Sequence, residues 1–270
     1  MLGAGVLHAG WNAVTKAVED RVGLLFFFGV ALGLAGAVGV VLIGLPPGVA
    51  IAFAAVSALV HVGYDLALMR AYRLGAFNQM YPVARGTAPL VVAAGAAVIA
   101  HEHLSAPELA GVVVLAAGLL SLALSSGRIE RAELPALGAA VLTGFAIASY
   151  SLLDGLGARH AHDAFSYMAL LCLVEGPLLA ATVLAVRRPR RLASRELALR
   201  GLLAGGCSVL AYGAVVWAQT RAPLAVVSAL RETGVISAAV IGAVVFREGF
   251  GYRRVASAAV VALGIVLIGI

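Results

Sequence analysis

Residues 22–44 read VGLLFFFGVALGLAGAVGVVLIG, twenty-three positions without a charged or amide side chain. At about 1.5 Å of rise per residue, a helix of that length reaches about 34 Å, enough to cross the roughly 30 Å hydrocarbon core of a bilayer. The run does not alternate between polar and apolar residues, so it does not read as a barrel strand. Working outward, further apolar runs occupy 1–18, 49–70, 75–100, 106–125, 134–156, 165–186, 197–219, 223–246 and 252–270. Glycine, proline or charge punctuates them, as in Glu19-Asp20-Arg21, Pro46-Pro47-Gly48 and Leu104-Ser105-Ala106-Pro107. The longest polar connection runs from Arg187 to Arg200. The pattern predicts an all-α membrane protein with ten transmembrane helices.

Composition agrees. Of 270 residues, 62% are hydrophobic and 12% charged, and the mean hydropathy is +1.03. Soluble domains carry about 25% charged residues, so this chain has too few charges to coat a globule, and a soluble enzyme is excluded. Cys172 and Cys207 both lie in apolar runs and read as core thiols, not a disulfide framework. The net charge of +6 does not indicate nucleic acid, because the arginines lie in short segments between apolar runs, the positive-inside signature of a membrane protein. The chain opens directly in a span carrying His8, Trp11, Asn12 and Lys16, with no basic region before it, so no cleavable signal peptide is expected.

The sequence also repeats itself. A shift of 146 places Arg85 on Arg231, Glu102 on Glu248, Gly118 on Gly264 and Ala110 on Ala256. The run Val98-Ile99-Ala100-His101-Glu102 then lies on Val244-Val245-Phe246-Arg247-Glu248, and a gapped shift aligns Tyr64 with Tyr212 and Lys16 with Asp154. The expected organisation is a five-helix repeat over 1–125, a linker at 126–133 and a second five-helix repeat over 134–270. Five is odd, so the two repeats enter the membrane in opposite orientations. Inverted repeats are a common transporter architecture, with the substrate site at the repeat interface.

Residues three, four or seven apart share a helix face. The first span aligns His8, Trp11, Asn12 and Thr15, with Lys16 at the edge; the third aligns Ser57, His61 and Tyr64, with Asp65 slightly offset; the fourth aligns Asn78, Tyr81 and Arg85. In the second half, Thr143, Tyr150 and Asp154 share one stripe, Ser208, Tyr212 and Gln219 another, and Ser228 and Arg231 a third with Glu232 beside them. Beyond Glu108 and Arg253-Arg254 at their starts, the second, fifth and tenth spans carry no charged residue within their apolar runs, and the seventh carries only Glu175. Polar helices in matching positions of both halves predict a wet central cavity buttressed by apolar helices.

Charges at membrane depth cost on the order of 2.5 kcal/mol each or more, which makes them functional pointers. Arg85 and Arg231, one per half, are expected to hold an anionic group, because the planar guanidinium fork matches carboxylate or phosphate. The remaining substrate-binding candidates are Trp11, Asn12, Lys16, Tyr64, Tyr81, Tyr150, Tyr212 and Gln219. Asp65, Glu175 and Glu232 are candidates for carrying a coupling proton, since removal from water favours the neutral carboxyl. Pro82 and Pro89 deprive Asn78 and Arg85 of their helical carbonyl partners, which suits a hinge or binding position. His101-Glu102-His103 places its histidines on different faces, so no metal site is expected there. Gly29-xxx-Gly33 and Gly201-xxx-Gly205 read as close-packing pairs, and Glu102 and Glu248 as structural caps or loop anchors.

Each of those glutamates ends an apolar helix and precedes a short turn and a Gly/Ala-rich helix, over 90–124 and 236–270. In this the chain resembles the EamA family of the drug/metabolite transporter superfamily, across nearly its whole length. His8-Ala9-Gly10-Trp11-Asn12-xxx-Lys16 and Tyr81-Pro82-Val83-Ala84-Arg85-Gly86 are similar to one EamA subgroup, some of whose members are tied to phosphonate utilisation. The resemblance implies a ten-helix carrier with a central cavity, often an exporter, in a bacterial inner (plasma) membrane, with both termini in the cytoplasm. Charge counting points the other way on orientation. The segments after the odd-numbered spans hold fourteen Lys and Arg, and the opposite side holds only Arg159 and Arg221, which places the termini outside.

The expected function is a secondary transporter moving a small anionic or zwitterionic metabolite by alternating access, with the lipid bilayer as its medium and no nucleic-acid partner. The alternative is a flippase for a lipid-linked substrate, or a non-transporting membrane subunit. No cofactor is expected, and without a GxxxxGK[ST] signature the energy comes from an ion or substrate gradient. An enzyme is not expected. Tyr64-Asp65 matches the first catalytic pair of intramembrane aspartyl proteases, but GxGD is missing, and so are GxSxG and HExxH.

Overall fold

The computed structural model describes residues 18, 20–75, 77–125, 131–186, 194–232, 234 and 252–269. Nine α-helices lie among them: α1 (Arg21–Ile43), α2 (Gly48–Leu74), α3 (Phe77–Ile99), α4 (Ala106–Ser125), α5 (Leu134–Arg159), α6 (Ala164–Val186), α7 (Arg195–Gln219), α8 (Leu224–Arg231) and α9 (Tyr252–Ile268). A short 3₁₀ turn, Arg131–Glu133, precedes α5, and the described residues contain no strand. Among the described residues, seven helices are long and apolar enough to cross a membrane. The protein is therefore an all-helical, multi-pass membrane protein. The first predicted span and most of the ninth lie outside the described residues, so nine helices stand against the ten expected.

Polar residues at the helix starts explain why the boundaries fall where they do. The first amide groups of a helix lack intrahelical partners and need acceptors. Asp20 accepts from the Gly23 amide of α1 at 3.0 Å, and Asp163 Oδ2 accepts from Phe165 and Ser166 of α6 at 3.0 and 3.1 Å. Ser105 and Glu108 form a capping box on α4, the Ser105 amide donating to Glu108 Oε2 at 2.7 Å. Ser194 accepts from Leu197 of α7 at 3.3 Å. Helix α2 runs to Leu74, four residues past the expected end, with Arg73 in its last turn, where a cation favours the helix dipole. Helix α5 runs past Gly155 and Gly157 to Arg159, whose Nε donates to the Gln219 carbonyl at 2.8 Å.

The helices gather into two compact units, the first Met1–Val62 with Leu153–Arg221 and the second Gly63–Leu152 with Ala222–Ile270. Each unit takes segments from both halves of the chain, and α2 and α5 are divided between them.

In the first unit α1 packs tightly on α6 and α7. A Cβ on Gly29 would stand 2.7 Å from the Gly176 carbonyl, and one on Gly176 or Gly36 would collide with the backbone nitrogen of Gly33 or Leu173. Gly201 and Gly205 face Phe27, Phe28 and Ala31 of α1 in the same way. Small residues allow this approach where lipid removes the hydrophobic drive for helix association. Phe28, Leu32, Tyr167, Leu171, Leu179 and Val216 fill the core around these contacts. An apolar groove of about 370 Å³ lies along α1, α6 and α7, between Gly39, Met168, Cys172, Gly213 and Trp217. With no charged group in its lining, it does not suit an ionic solute.

In the second unit α4 packs on α9 through Gly111, Gly118 and Gly264, and Ser121 bonds Ser257 across them at 2.9 Å. Val112, Leu115, Leu119, Val226 and Val261 form the core there. Helix α3 stays continuous through Pro82 and Pro89, with Thr87 Oγ1 donating to the Val83 carbonyl at 2.8 Å.

Candidate functional site

The second unit holds a buried ionic cluster built from α3, α5, α8 and the second half of α2. Tyr81 and Arg85, one turn apart on α3, lie with the guanidinium 5.7 Å from the ring centroid. Helix α8 ends at Arg231, and the next residue, Glu232, caps it. Arg85 Nε approaches Glu232 Oε2 at 2.6 Å, and Arg231 Nε lies 3.7 Å from Oε1. One carboxylate therefore sits between two guanidinium groups, and all three residues are nearly inaccessible, at 3%, 4% and 0% exposure. The Arg85 contact is a buried ion pair. Tyr150 of α5 lies under Arg231 at 5.7 Å, and the Tyr64 ring stands edge-on to Tyr150 at 5.4 Å. Two guanidinium groups, one carboxylate and three phenols thus gather in one buried place.

What holds α8 in place comes from another helix end. Pro223 stands at the N-cap of α8 with no side-chain cap of its own. The orphan Leu224 amide donates instead to Glu102 Oε2 at 2.7 Å. Glu102 follows His101, a non-glycine residue at φ 53°, in the turn between α3 and α4. The glutamate expected to serve as a cap does so, on the helix that carries Arg231.

The first unit holds a second polar cluster, centred on Asp154, which is wholly buried. The Tyr167 hydroxyl donates to Asp154 Oδ1 at 2.9 Å, and the Tyr212 hydroxyl donates to Oδ2. His61 Nε2 lies 3.8 Å from Oδ2, and its Nδ1 contacts Ser57 Oγ at 3.2 Å and the Ser57 carbonyl at 3.0 Å. Each oxygen of this carboxylate thus accepts from one phenol.

The candidates read from the sequence thus divide. Arg85, Arg231, Glu232, Tyr64, Tyr81 and Tyr150 come together in the second unit, and Tyr212 joins Asp154 in the first. Gln219 is buried at the end of α7, with its carbonyl bound by Arg159. Glu175 is buried on α6, in the first unit. Asp65 follows Tyr64 and makes no ion pair among the described residues. Trp11, Asn12 and Lys16 lie outside the described residues. Tyr167 was missed: a single tyrosine near a helix start carries no periodic signal, and only its fit against Gly157 and Asp154 reveals it.

Comparison with known proteins places the chain. A crystal structure described only as that of a protein superposes with a TM-score of 0.80 at 16% identity, covering 99% of this chain and 94% of that one. At that identity the likeness concerns the fold alone. No curated protein matches the sequence. The profile of the EamA-like transporter family matches residues 134–270, half of the chain, and on that match this membrane protein belongs to the EamA-like transporter family.

Proposed function

We propose that the chain is a secondary transporter that moves a small anionic or zwitterionic metabolite by alternating access, with Arg85 and Arg231 binding the anionic group. Family membership supports transport as the activity. The observation that carries the substrate class is the convergence of two buried guanidinium groups on one carboxylate. Guanidinium groups are costly to bury without anionic partners, and the forked donors of arginine match carboxylate and phosphate-like groups. Tyr64, Tyr81 and Tyr150 wall the same place.

In this reading the fold is ten helices in two inverted five-helix repeats, 1–125 and 134–270, in a bacterial inner (plasma) membrane, with export as the direction that the family resemblance favours. Asp65, Glu175 and Glu232 are the candidates for carrying a coupling proton, and of these Glu232 faces both arginines.

The test is transport into proteoliposomes. A thermal-shift screen over phosphonates, amino acids and sugar phosphates selects the solute, because a ligand that binds only the folded protein raises its apparent stability. Arg85→Ala with Arg231→Ala is expected to abolish its uptake. Uptake equal to that of the unaltered protein would overturn the assignment.

A further inference from the structure

We infer that the apolar groove of the first unit is a phospholipid site, holding one acyl chain of a single leaflet while Arg221 at its mouth binds the phosphate of an anionic headgroup. The helix register sets the length and direction of the groove. Gly39 of α1 lies against Ala169 of α6, and Gly29 against Gly176 and Ala180, so these two helices run antiparallel. Gly201 and Gly205 of α7 lie against Phe27 and Ala31 of α1, so those two run parallel. The last turns of α1 and α7 and the first turn of α6 therefore share one end of the unit, marked by Ile43, Trp217 and Phe165. From there the lining reaches inward to Ala35, Val209 and Cys172, about eight residues along each helix. At about 1.5 Å per residue the groove is about 12 Å deep, close to half of the roughly 30 Å hydrocarbon core. Its depth is that of one leaflet.

Nearer the start of α7, glycines press that helix on α1, yet a Cβ on Gly213 would meet only Met168 Cγ, at 3.9 Å. Leu210 and Ile43 on the border are 66% and 50% exposed, so in a membrane-spanning bundle the groove opens sideways to lipid. An apolar gap loses dispersion contacts unless something apolar fills it, and the material at that depth is an acyl chain. At the mouth the chemistry changes. The Arg221 guanidinium lies over the Trp217 ring, 4.2 Å from its centroid. Its Nη1 donates to Thr220 Oγ1 at 3.1 Å and to the Trp217 carbonyl at 3.3 Å. Arg221 is exposed and pairs with no carboxylate among the described residues. Asp163, at the start of α6, is taken up by the amides of Phe165 and Ser166. Tryptophan marks the level where hydrocarbon gives way to headgroups, and a forked guanidinium held there matches phosphate. A slot for hydrocarbon that ends at a phosphate donor fits a phospholipid and not a free anion.

The experiment follows Trp217 fluorescence in the full chain carrying Trp11→Phe, which leaves Trp217 as the sole tryptophan. The protein is reconstituted in phosphatidylcholine vesicles with a minor fraction of acyl-brominated lipid, either phosphatidylglycerol or phosphatidylcholine, as the quencher. Phosphatidylglycerol should bind beside Trp217 about fivefold tighter than phosphatidylcholine, the gain expected of one arginine near a lipid surface. Arg221→Gln should remove that preference, and Arg221→Lys, which keeps the charge, should retain most of it. Gly213→Leu fills the groove and should weaken phosphatidylglycerol binding several-fold. Equal quenching by the two lipids overturns the inference, as does a preference that survives Arg221→Gln or an affinity unchanged by Gly213→Leu. Native mass spectrometry of the chain with both tryptophans decides the matter if Trp11→Phe does not fold. Phosphatidylglycerol retained through detergent exchange and lost with Arg221→Gln is the expected result, and no retained lipid is the contrary one. Neither Arg221 nor Gly213 belongs to the ionic cluster, so failure here leaves the transport reading standing.

Discussion

The two buried polar clusters each centre on one carboxylate and differ in the donors that face it. Around Asp154, one carboxylate accepts from two phenol hydroxyls, with an imidazole nearby. Around Glu232, one carboxylate faces two guanidinium groups. A carboxylate held by phenols from two other helices is interhelical glue, since each partner would lose a bond if the helices parted. Guanidinium groups carry forked donors that also match a carboxylate or phosphate-like group from outside. Buried polar residues in a membrane bundle therefore mark a candidate site by whether their donors suit an external ion.

The strongest way to break this contrast is Glu232→Leu. It would leave two buried cations with no carboxylate, and removing one partner of a buried ion pair costs about 3–5 kcal/mol. Unfolding in a fixed detergent should show a loss of that size, partly restored by millimolar methanesulfonate. A loss below about 1 kcal/mol would mean that water already reaches the arginines. Next in size is Asp154→Asn in the first unit. Bonds to a charged acceptor are worth about 1.5–3 kcal/mol, so stability should fall by about that much, with no recovery on adding any anion. Recovery by anions would erase the distinction between the clusters.

Most of the fold was legible because hydropathy and caps are local. Asp20, Ser105 with Glu108, and Ser194 stand at helix starts and fix ends that match the apolar runs. The site was legible only in part. Arg85 and Arg231 stood out as charges at repeat-related positions, and the shared face of Tyr81 with Arg85 followed from helical spacing. That both arginines meet one glutamate, and that this glutamate is Arg231's own neighbour, depends on how α3 packs beside the end of α8. The Tyr167–Asp154 bond closes over the turn between α5 and α6, and the Glu102–Leu224 bond joins positions 122 apart. No periodicity encodes either.

The packing beneath the first cluster offers a smaller effect. Gly176→Ala places a methyl group against the α1 backbone at Gly29 and Gly33, and overpacking of this kind costs about 1–3 kcal/mol. Gly206→Ala meets nothing within 4 Å and should stay within about 0.5 kcal/mol. Equal effects for the two would mean that α1 and α6 do not rest on each other as tightly as their glycines imply. Neither substitution should change which anions bind, because neither touches the arginines.

A smaller effect than that of Gly176→Ala should come from Glu102→Ala, and it reaches the second cluster by a route that the others do not. The substitution removes the acceptor for the Leu224 amide, and a lost N-cap costs about 1 kcal/mol. Helix α8 is only eight residues long and has no other side-chain cap, so its start is free to shift once that bond is gone. Its far end carries Arg231 and Glu232, and a shift there moves both partners of Arg85 together. The expected result is a several-fold higher KM for the transported solute. Glu102→Gln, whose side-chain carbonyl can still accept from Leu224, should restore most of that loss. If Glu102→Gln is as impaired as Glu102→Ala, then the charge of Glu102, and not its bond to the Leu224 amide, is what the solute senses.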